Sequence, residues 1–267
     1  MEHKISFYIF SENIDEGVIR ATENVYNFVD EIIVRVGVSN DNQENLGSID
    51  RDNKVKIIRK KFTTFAGIRN ICLENCLNEW ILTLDSDEVF SQDFLKKIRN
   101  YAKAEDIDGY KVKRIHFYGT KHEVFDPFSH LRFFRNSPKL KYLGLVHELL
   151  SGVNKARVKE IGNNREVIYH YNQYEDMVSK NKEYRLLLKE EKKLAIESKD
   201  SNLIDLADFR LWSNANIDNP EHFQDKEKMQ AIMTEFSKKL EEMLGGRENY
   251  HKELGRLERM RLKSSIH

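Results

Sequence analysis

Ile5 to Phe10 is apolar apart from Ser6, and after a short polar break Ile14, Val18, Ala21, Val25 and Phe28 recur at helical spacing. Ile32-Ile33-Val34 follows as a second compact apolar run. The change of period from strand to helix and back predicts a β-α-β opening. Val55 to Ile58 predicts a third strand, residues 65–78 a helix with Phe65, Ile68, Cys72 and Cys76 along one side, and residues 80–84 a fourth strand. Strands alternating with helices of this length imply an α/β fold: a mostly parallel sheet with helices on both faces and a ligand crevice at the carboxyl ends of the strands.

A helix over 92–103 closes this pattern, and shorter runs replace it. Tyr110 to Tyr118, Leu131 to Phe134, Leu140 to Val146 and Val167 to Tyr171 read as strands without long helices between them. From Tyr174 onward the periodicity is helical, over 174–197, 201–216 and 224–244. In the last of these Met229, Met233, Phe236, Leu240 and Met243 form a stripe that ends at Gly245-Gly246. Two heptads are too few to specify a coiled coil, so the stripe is expected to fold back onto its own domain.

The chain has 267 residues with 44 basic and 44 acidic side chains, giving a formal net charge of zero. No global field recruits nucleic acid, and partners must be chosen by local sites. The apolar run near the start is too short for a signal-peptide core or a membrane span, which makes a cytoplasmic protein the expectation, with any membrane contact peripheral and made through the C-terminal helices. Cys72 and Cys76 are the only cysteines, spaced four apart on a helix, a geometry suited to packing rather than to a disulfide or a zinc site.

The chemistry concentrates in Trp80-Ile81-Leu82-Thr83-Leu84-Asp85-Ser86-Asp87-Glu88-Val89-Phe90, a buried-strand composition that runs into three acids within four residues. Two carboxylates one residue apart at the carboxyl edge of such a strand can share a hard cation with a phosphate. The alternative is an acidic turn that caps the following helix, for which Ser91 and Asp93 supply suitable residues.

With these landmarks in order, the chain resembles the family 2 glycosyltransferases, nucleotide-sugar enzymes of the GT-A fold. The resemblance rests on Ile5 to Glu12, Asp30 to Val34, Phe65-Ala66-Gly67-Ile68-Arg69-Asn70 and Trp80 through Glu88. Downstream, His130 to Asn136, Gly144-Leu145-Val146-His147-Glu148 and Ile168-Tyr169-His170-Tyr171 match one bacterial-type branch, so residues 3 to about 185 are covered. It implies a Rossmann-like GT-A catalytic domain over 1–172, with a nucleotide-sugar half to about 104 and an acceptor half over 105–172, and a helical extension over 173–267. The second strand departs from the family pattern: Val36-Gly37-Val38-Ser39-Asn40-Asp41 stands where an Asp usually holds the nucleobase. Base recognition then falls to Ser39, Asp41 or backbone groups.

The resemblance also implies roles. Asp87 with Asp85 would hold Mn²⁺ or Mg²⁺ against the diphosphate of a donor, UDP-linked foremost and otherwise GDP- or dTDP-linked, with Asp85 reaching the ribose in many members. Glu12, Ser86 and Arg69 are further donor-side candidates, and His170 is a candidate ligand of metal or diphosphate. The acceptor, a carbohydrate or lipid-linked sugar, needs a base on its hydroxyl: Glu148 is the first choice and Asp126 the reserve, with His147 orienting the base or the acceptor. Arg132 and Arg135, three apart on a strand, face opposite sides, so one of them at most reaches the site. A single carboxylate base implies an inverting displacement. Homo-oligomerisation through the C-terminal helices is a further expectation.

Three other readings compete. Asp85 to Val89 also fits the opening motif of haloacid-dehalogenase-type phosphatases, although more than eighty residues precede it and no later Gly-Asp-x-x-x-Asp or Asp-Asp pair follows. Nucleotidyltransferases share the sheet type but carry a Gly-rich basic loop where this chain has Ser11-Glu12-Asn13. The third is a non-catalytic adaptor on the same fold.

Overall fold

The computed structural model describes residues 3–38, 53–118, 122–144, 148–172, 174–216 and 226–264. The chain opens with β1 (Ile5–Phe10), α1 (Glu16–Val25) and β2 (Glu31–Val36), followed by β3 (Val55–Arg59), α2 (Phe65–Asn75) and β4 (Trp80–Thr83). The Asp15 carboxylate accepts from Val18 N at 2.9 Å and starts α1, whose buried side is Val18, Ala21, Thr22 and Val25. Strands β1, β2, β3 and β4 are parallel, with β1 at the centre between β2 and β4. This is the alternating half that the sequence pattern predicts.

The rest of the sheet is mixed. It adds β5 (Glu88–Phe90), β6 (Gly109–Tyr118), β7 (His122–Arg135), β10 (Val158–Glu160) and β11 (Val167–Asn172). The order is β3-β2-β1-β4-β7-β6-β11-β5, with β10 pairing β6. β7 runs antiparallel to β4 and β6, and β5 antiparallel to β11, while β6 is parallel to β10 and β11. The result is the α/β sheet of GT-A type that the resemblance implies.

Side chains alternate across this sheet. Ile5, Phe7 and Ile9 of β1, Ile32, Val34 and Val36 of β2, and Trp80 and Leu82 of β4 join one core with Val18, Ala21 and Val25 of α1. The short helices α3 (Gln92–Leu95) and α4 (Ile98–Ala102) add Phe94, Leu95, Ile98 and Ala102 to it. Phe10, of the opposite parity, meets α2 instead, with the Arg69 guanidinium 4.8 Å from its ring centre. Ile68 and Cys72 of α2 are buried outside the α1-side core, so the sheet has helices on both faces.

Several boundaries differ from the sequence expectation for local reasons. The helix predicted over 92–103 is two pieces, because Lys97 N reaches only three residues back to Phe94 O and tightens the chain there. The strand predicted over 131–134 extends back to His122. Pro127 argues against a strand by sequence, and the register jumps around it: Lys113 stands opposite Ser129, but Ile115 stands opposite Phe125.

The chain divides into two compact units. The first holds Met1–Thr63, Gly67–Lys141 and Gly152–Asn172, and the second holds Gln173–His267 together with Thr64–Ala66 and Tyr142–Ser151. The second unit contains α5 (Tyr174–Ser198), α6 (Ser201–Asn216), α7 (Lys226–Leu244) and α8 (Arg247–Ser264). Its core gathers Ala195, Leu203, Leu206, Phe209, Leu240, Leu244, Leu254 and Leu257. Phe236, Leu240 and Met243 of the α7 stripe pack into this core, whereas the side chains of Met229 and Met233 lie outside the described residues. Arg210 and Glu191 form a buried pair at 2.8 Å, and Arg210 also donates to the Tyr250 hydroxyl at 2.9 Å.

Candidate active site

The acidic segment links β4 to β5 at the carboxyl end of β4. Glu88 N donates to Asp85 O at 3.0 Å and Asp85 N to a Glu88 carboxylate oxygen at 3.0 Å, so the two acids close the turn reciprocally. On its outer edge β5 is held by Asn24 of α1, whose amide donates to Phe90 O at 3.0 Å and accepts from Phe90 N at 2.9 Å. α1 also approaches the turn with no side chain between, since a Cβ at Gly17 would overlap the Ser86 carbonyl oxygen. The turn is therefore packed between α1 and β11.

Its charges are balanced by arginines from three elements. The Asp85 carboxylate accepts from Arg69 of α2 at 2.5 Å and from Arg132 of β7 at 2.6 Å. Arg132 also reaches the Glu88 carboxylate at 2.8 Å, and Arg114 of β6 reaches it at 3.1 Å. Glu88 is wholly buried, whereas Asp85 keeps 31% of its side chain exposed, so the cluster opens to solvent at Asp85. Burial alone would push the Asp85 carboxyl up, but the Arg132 and Arg69 guanidinium groups outweigh it and hold the carboxyl well below the usual carboxylate range. Three guanidiniums meet the Asp85 and Glu88 carboxylates here, and the Nε of Arg132 is buried without a hydrogen-bond partner among the described residues. Such a cluster suits an anionic ligand.

Asp87 points elsewhere. Its carboxylate lies 3.3 Å from His170 Nε2, and its carbonyl accepts from Tyr171 N at 2.8 Å. His170 in turn meets His116, with their Nδ1 atoms 2.6 Å apart and both rings buried. The register explains the histidine pair: His170 on β11 stands opposite His116 on β6, with Glu88 of β5 on its other side in the same cross-strand row.

Residues 10–181 match the family described as Glycosyl transferase family 2. The chain belongs to that family. The family match takes in Asp85, Asp87, Arg132 and His170. Among curated relatives, an uncharacterized glycosyltransferase of Rickettsia typhi is 30% identical over 112 residues, 42% of this chain and 37% of the relative. One of Rickettsia felis is 29% identical over 131 residues (47% and 45%), and one of Rickettsia conorii is 27% identical over 134 residues (48% and 46%). The aligned stretch spans less than half the length of these relatives.

Not every residue expected of the family site falls in this cluster. Glu12 accepts from Arg35 at 2.5 Å, and Arg35 also donates to the Ser11 and Lys60 carbonyls, tying the ends of β1, β2 and β3 together. Gly37 lies against Glu12, where a Cβ would sit 2.7 Å from its carboxylate. Arg135 turns away from the acids to Glu79 and to the Ala104 and Ile107 carbonyls, with Trp80 beneath its guanidinium. Ser39, Asp41 and His147 lie outside the described residues. Asp126 is on β7, with its side chain outside the described residues. Glu148 directly precedes β9 (Leu149–Ser151), in the second unit with β8 (Lys141–Leu143), whose last two residues belong to that unit as well.

The sequence reading missed Glu88 as a site residue, together with Arg114, His116 and Arg35. Arg114 and His116 alternate along β6, a signal for one shared face, but only the pairing of β6 with β11 brings that face to the acids. No helix among the described residues is long and apolar enough to cross a membrane.

Proposed function

We propose that this chain transfers a sugar from a nucleoside-diphosphate sugar to the hydroxyl of a carbohydrate or lipid-linked acceptor, with Mn²⁺ or Mg²⁺ as cofactor and with inversion at the anomeric carbon. The observation that carries the reading is Asp87, backed by His170, beside the guanidiniums of Arg69, Arg132 and Arg114 at the carboxyl end of β4. A hard carboxylate oxygen with one imidazole nitrogen fits a cation that keeps its remaining positions for water and phosphate oxygens. Asp87 and His170 would hold the ion, whose chemistry when bound is Lewis-acid stabilisation of the departing diphosphate.

The arginines carry the chain's own part. Arg69 and Arg132 fix Asp85 on both oxygens, which suits it to orienting a ribose hydroxyl or an arginine rather than to ligating a metal. Arg132 and Arg114, themselves held by buried Glu88, supply preorganised positive charge for the phosphates without reorganisation during the reaction. A base must take the acceptor proton, and Glu148 is proposed for it, with Asp126 as the reserve. UDP is the first donor nucleotide to test, with GDP and dTDP next.

Release of nucleoside diphosphate from a panel of sugar nucleotides, with and without chelator, tests the reading. Wild type should release the diphosphate only with Mn²⁺ or Mg²⁺ present, and Asp87→Asn should abolish that dependence while remaining folded. Glu148→Gln should slow turnover about 10²–10⁴-fold with donor affinity nearly unchanged. If Asp126→Asn is the slow variant instead, the base is reassigned; release of inorganic phosphate from a phosphomonoester would favour the phosphatase reading, and a product of retained configuration would overturn inversion.

A further inference from the structure

Gly17, Arg20 and Asn24 recur at helical spacing along one side of α1 and meet the neighbourhood of the acidic turn in order: Gly17 against Ser86, Arg20 against Tyr171 and Asn24 against Phe90. The middle contact has no part in the chemistry above. The Arg20 guanidinium lies 4.9 Å from the centre of the Tyr171 ring. Tyr171 stands opposite Phe117 of β6, with ring centres 5.3 Å apart and planes at 14°, and Phe117 meets Tyr169 at 5.8 Å. Arg20 is exposed, Tyr171 is 42% exposed, and Phe117 and Tyr169 are half-buried. Among the described residues no carboxylate pairs with Arg20, and neither tyrosine hydroxyl has a hydrogen-bond partner. A patch that combines a cation, two hydroxyls and three aromatic rings has the makeup of a ligand surface rather than of a core.

Its place narrows the occupant. His170 and Tyr171 are successive residues of β11, so the imidazole meets Asp87 while the Tyr171 ring stands on the other face. The two faces join at Asp87, whose carbonyl accepts from Tyr171 N at 2.8 Å. The patch therefore borders the site without forming its centre. The nucleobase is expected at the carboxyl ends of β1 and β2, and β4, β7 and β6 lie between β1 and β11 in the sheet. That leaves the acceptor. The C–H face of a pyranose packs on an aromatic ring while its hydroxyls bond to tyrosine and arginine, and a guanidinium matches a carboxylate or phosphate bidentately.

We propose that Arg20, Tyr171 and Phe117 form an acceptor subsite for a sugar unit that carries an acidic group, next to the unit whose hydroxyl reacts. The acidic group is the carboxylate of an acidic sugar or the phosphate of a lipid-linked one, and both present the same chemistry to Arg20. Tyr171 holds the ring and Arg20 selects the acid. The proposal rests on the reading of the chain as a sugar transferase.

Retention on immobilised glycans, with Mn²⁺ and UDP, GDP or dTDP present, tests it. The probes are oligosaccharides of glucose, galactose, mannose and N-acetylglucosamine, each neutral, capped with glucuronate, or linked through diphosphate to a short prenyl chain. Wild type should retain a glucuronate or diphosphate set in preference to the neutral one, and the set retained names the source of the acid. Tyr171→Ala should weaken that binding about 10-fold, and Tyr171→Phe should stay within a few-fold of wild type. Arg20→Gln should remove the preference for acidic over neutral sugars. Arg20 is exposed on a helix, so its result decides the matter if Tyr171→Ala does not fold.

Equal retention of acidic and neutral sugars by wild type would overturn the proposal, as would Arg20→Gln with the wild-type preference intact. A wild type that binds nucleoside diphosphate with Mn²⁺ but retains no glycan would overturn the subsite alone. A wild type that binds none of the three nucleotides would instead sink the transferase reading, and the subsite with it.

Discussion

Asp85 has a guanidinium on each oxygen, so the folded chain releases its proton more readily than the unfolded chain does. A carboxyl held below its unfolded value stabilises the fold above that value, about 3.9 for Asp, and loses its contribution as pH falls toward the lower folded value. Urea midpoints of wild type and Asp85→Asn should therefore differ at pH 7 and converge below about pH 4. A gap of constant size through that range would mean that the pairs add nothing to stability. Asp85 and Asp87 stand out in the sequence because a buried-strand composition runs into them, although Glu88 does not stand out as their partner in the turn. Nor do the arginines. Arg69, Arg132 and Arg114 lie 16, 47 and 26 residues from the acids they bind, and nothing in local spacing reports a contact at such range.

At the scale of elements, β5 shows where pattern reading stops. Its residues look like the tail of an acidic turn, and they become a strand only because Asn24 and β11 satisfy the two edges. The helix α8 was missed for a related reason: its few buried residues, Leu254 and Leu257 among them, are diluted by charged neighbours, so its apolar stripe emerges only against the rest of its unit. The parallel half was legible because its strands and helices differ in period and are joined in sequence order. Gly17 ties element to site, since the first turn of α1 can approach Ser86 only without a Cβ. Gly17→Ala should cost about 1–3 kcal/mol as an overpacking change and displace the acidic turn. The expected result is a folded protein with weakened metal-dependent nucleotide binding by calorimetry, and unchanged binding would show that the turn tolerates the shift.

For the whole molecule, each compact unit holds its own core and one of the two tryptophans, Trp80 in β4 and Trp212 in α6. Fluorescence of Trp80→Phe and Trp212→Phe variants therefore reports the two units separately. Phe209, 2% exposed, is the residue to remove from the helical core, with ring centres at 5.1 Å from Phe236 and 5.8 Å from Tyr250. Phe209→Ala leaves a cavity and should cost about 3–5 kcal/mol. If the helical unit is not required to hold the donor, the Trp212 transition should move to lower urea while the Trp80 transition and nucleotide affinity stay in place. A parallel shift of both transitions would mean that the units unfold as one. Loss of nucleotide affinity in Phe209→Ala under conditions where both transitions still report folded protein would place part of the donor site in the helices, and the donor assignments confined to the first unit would then have to be redrawn.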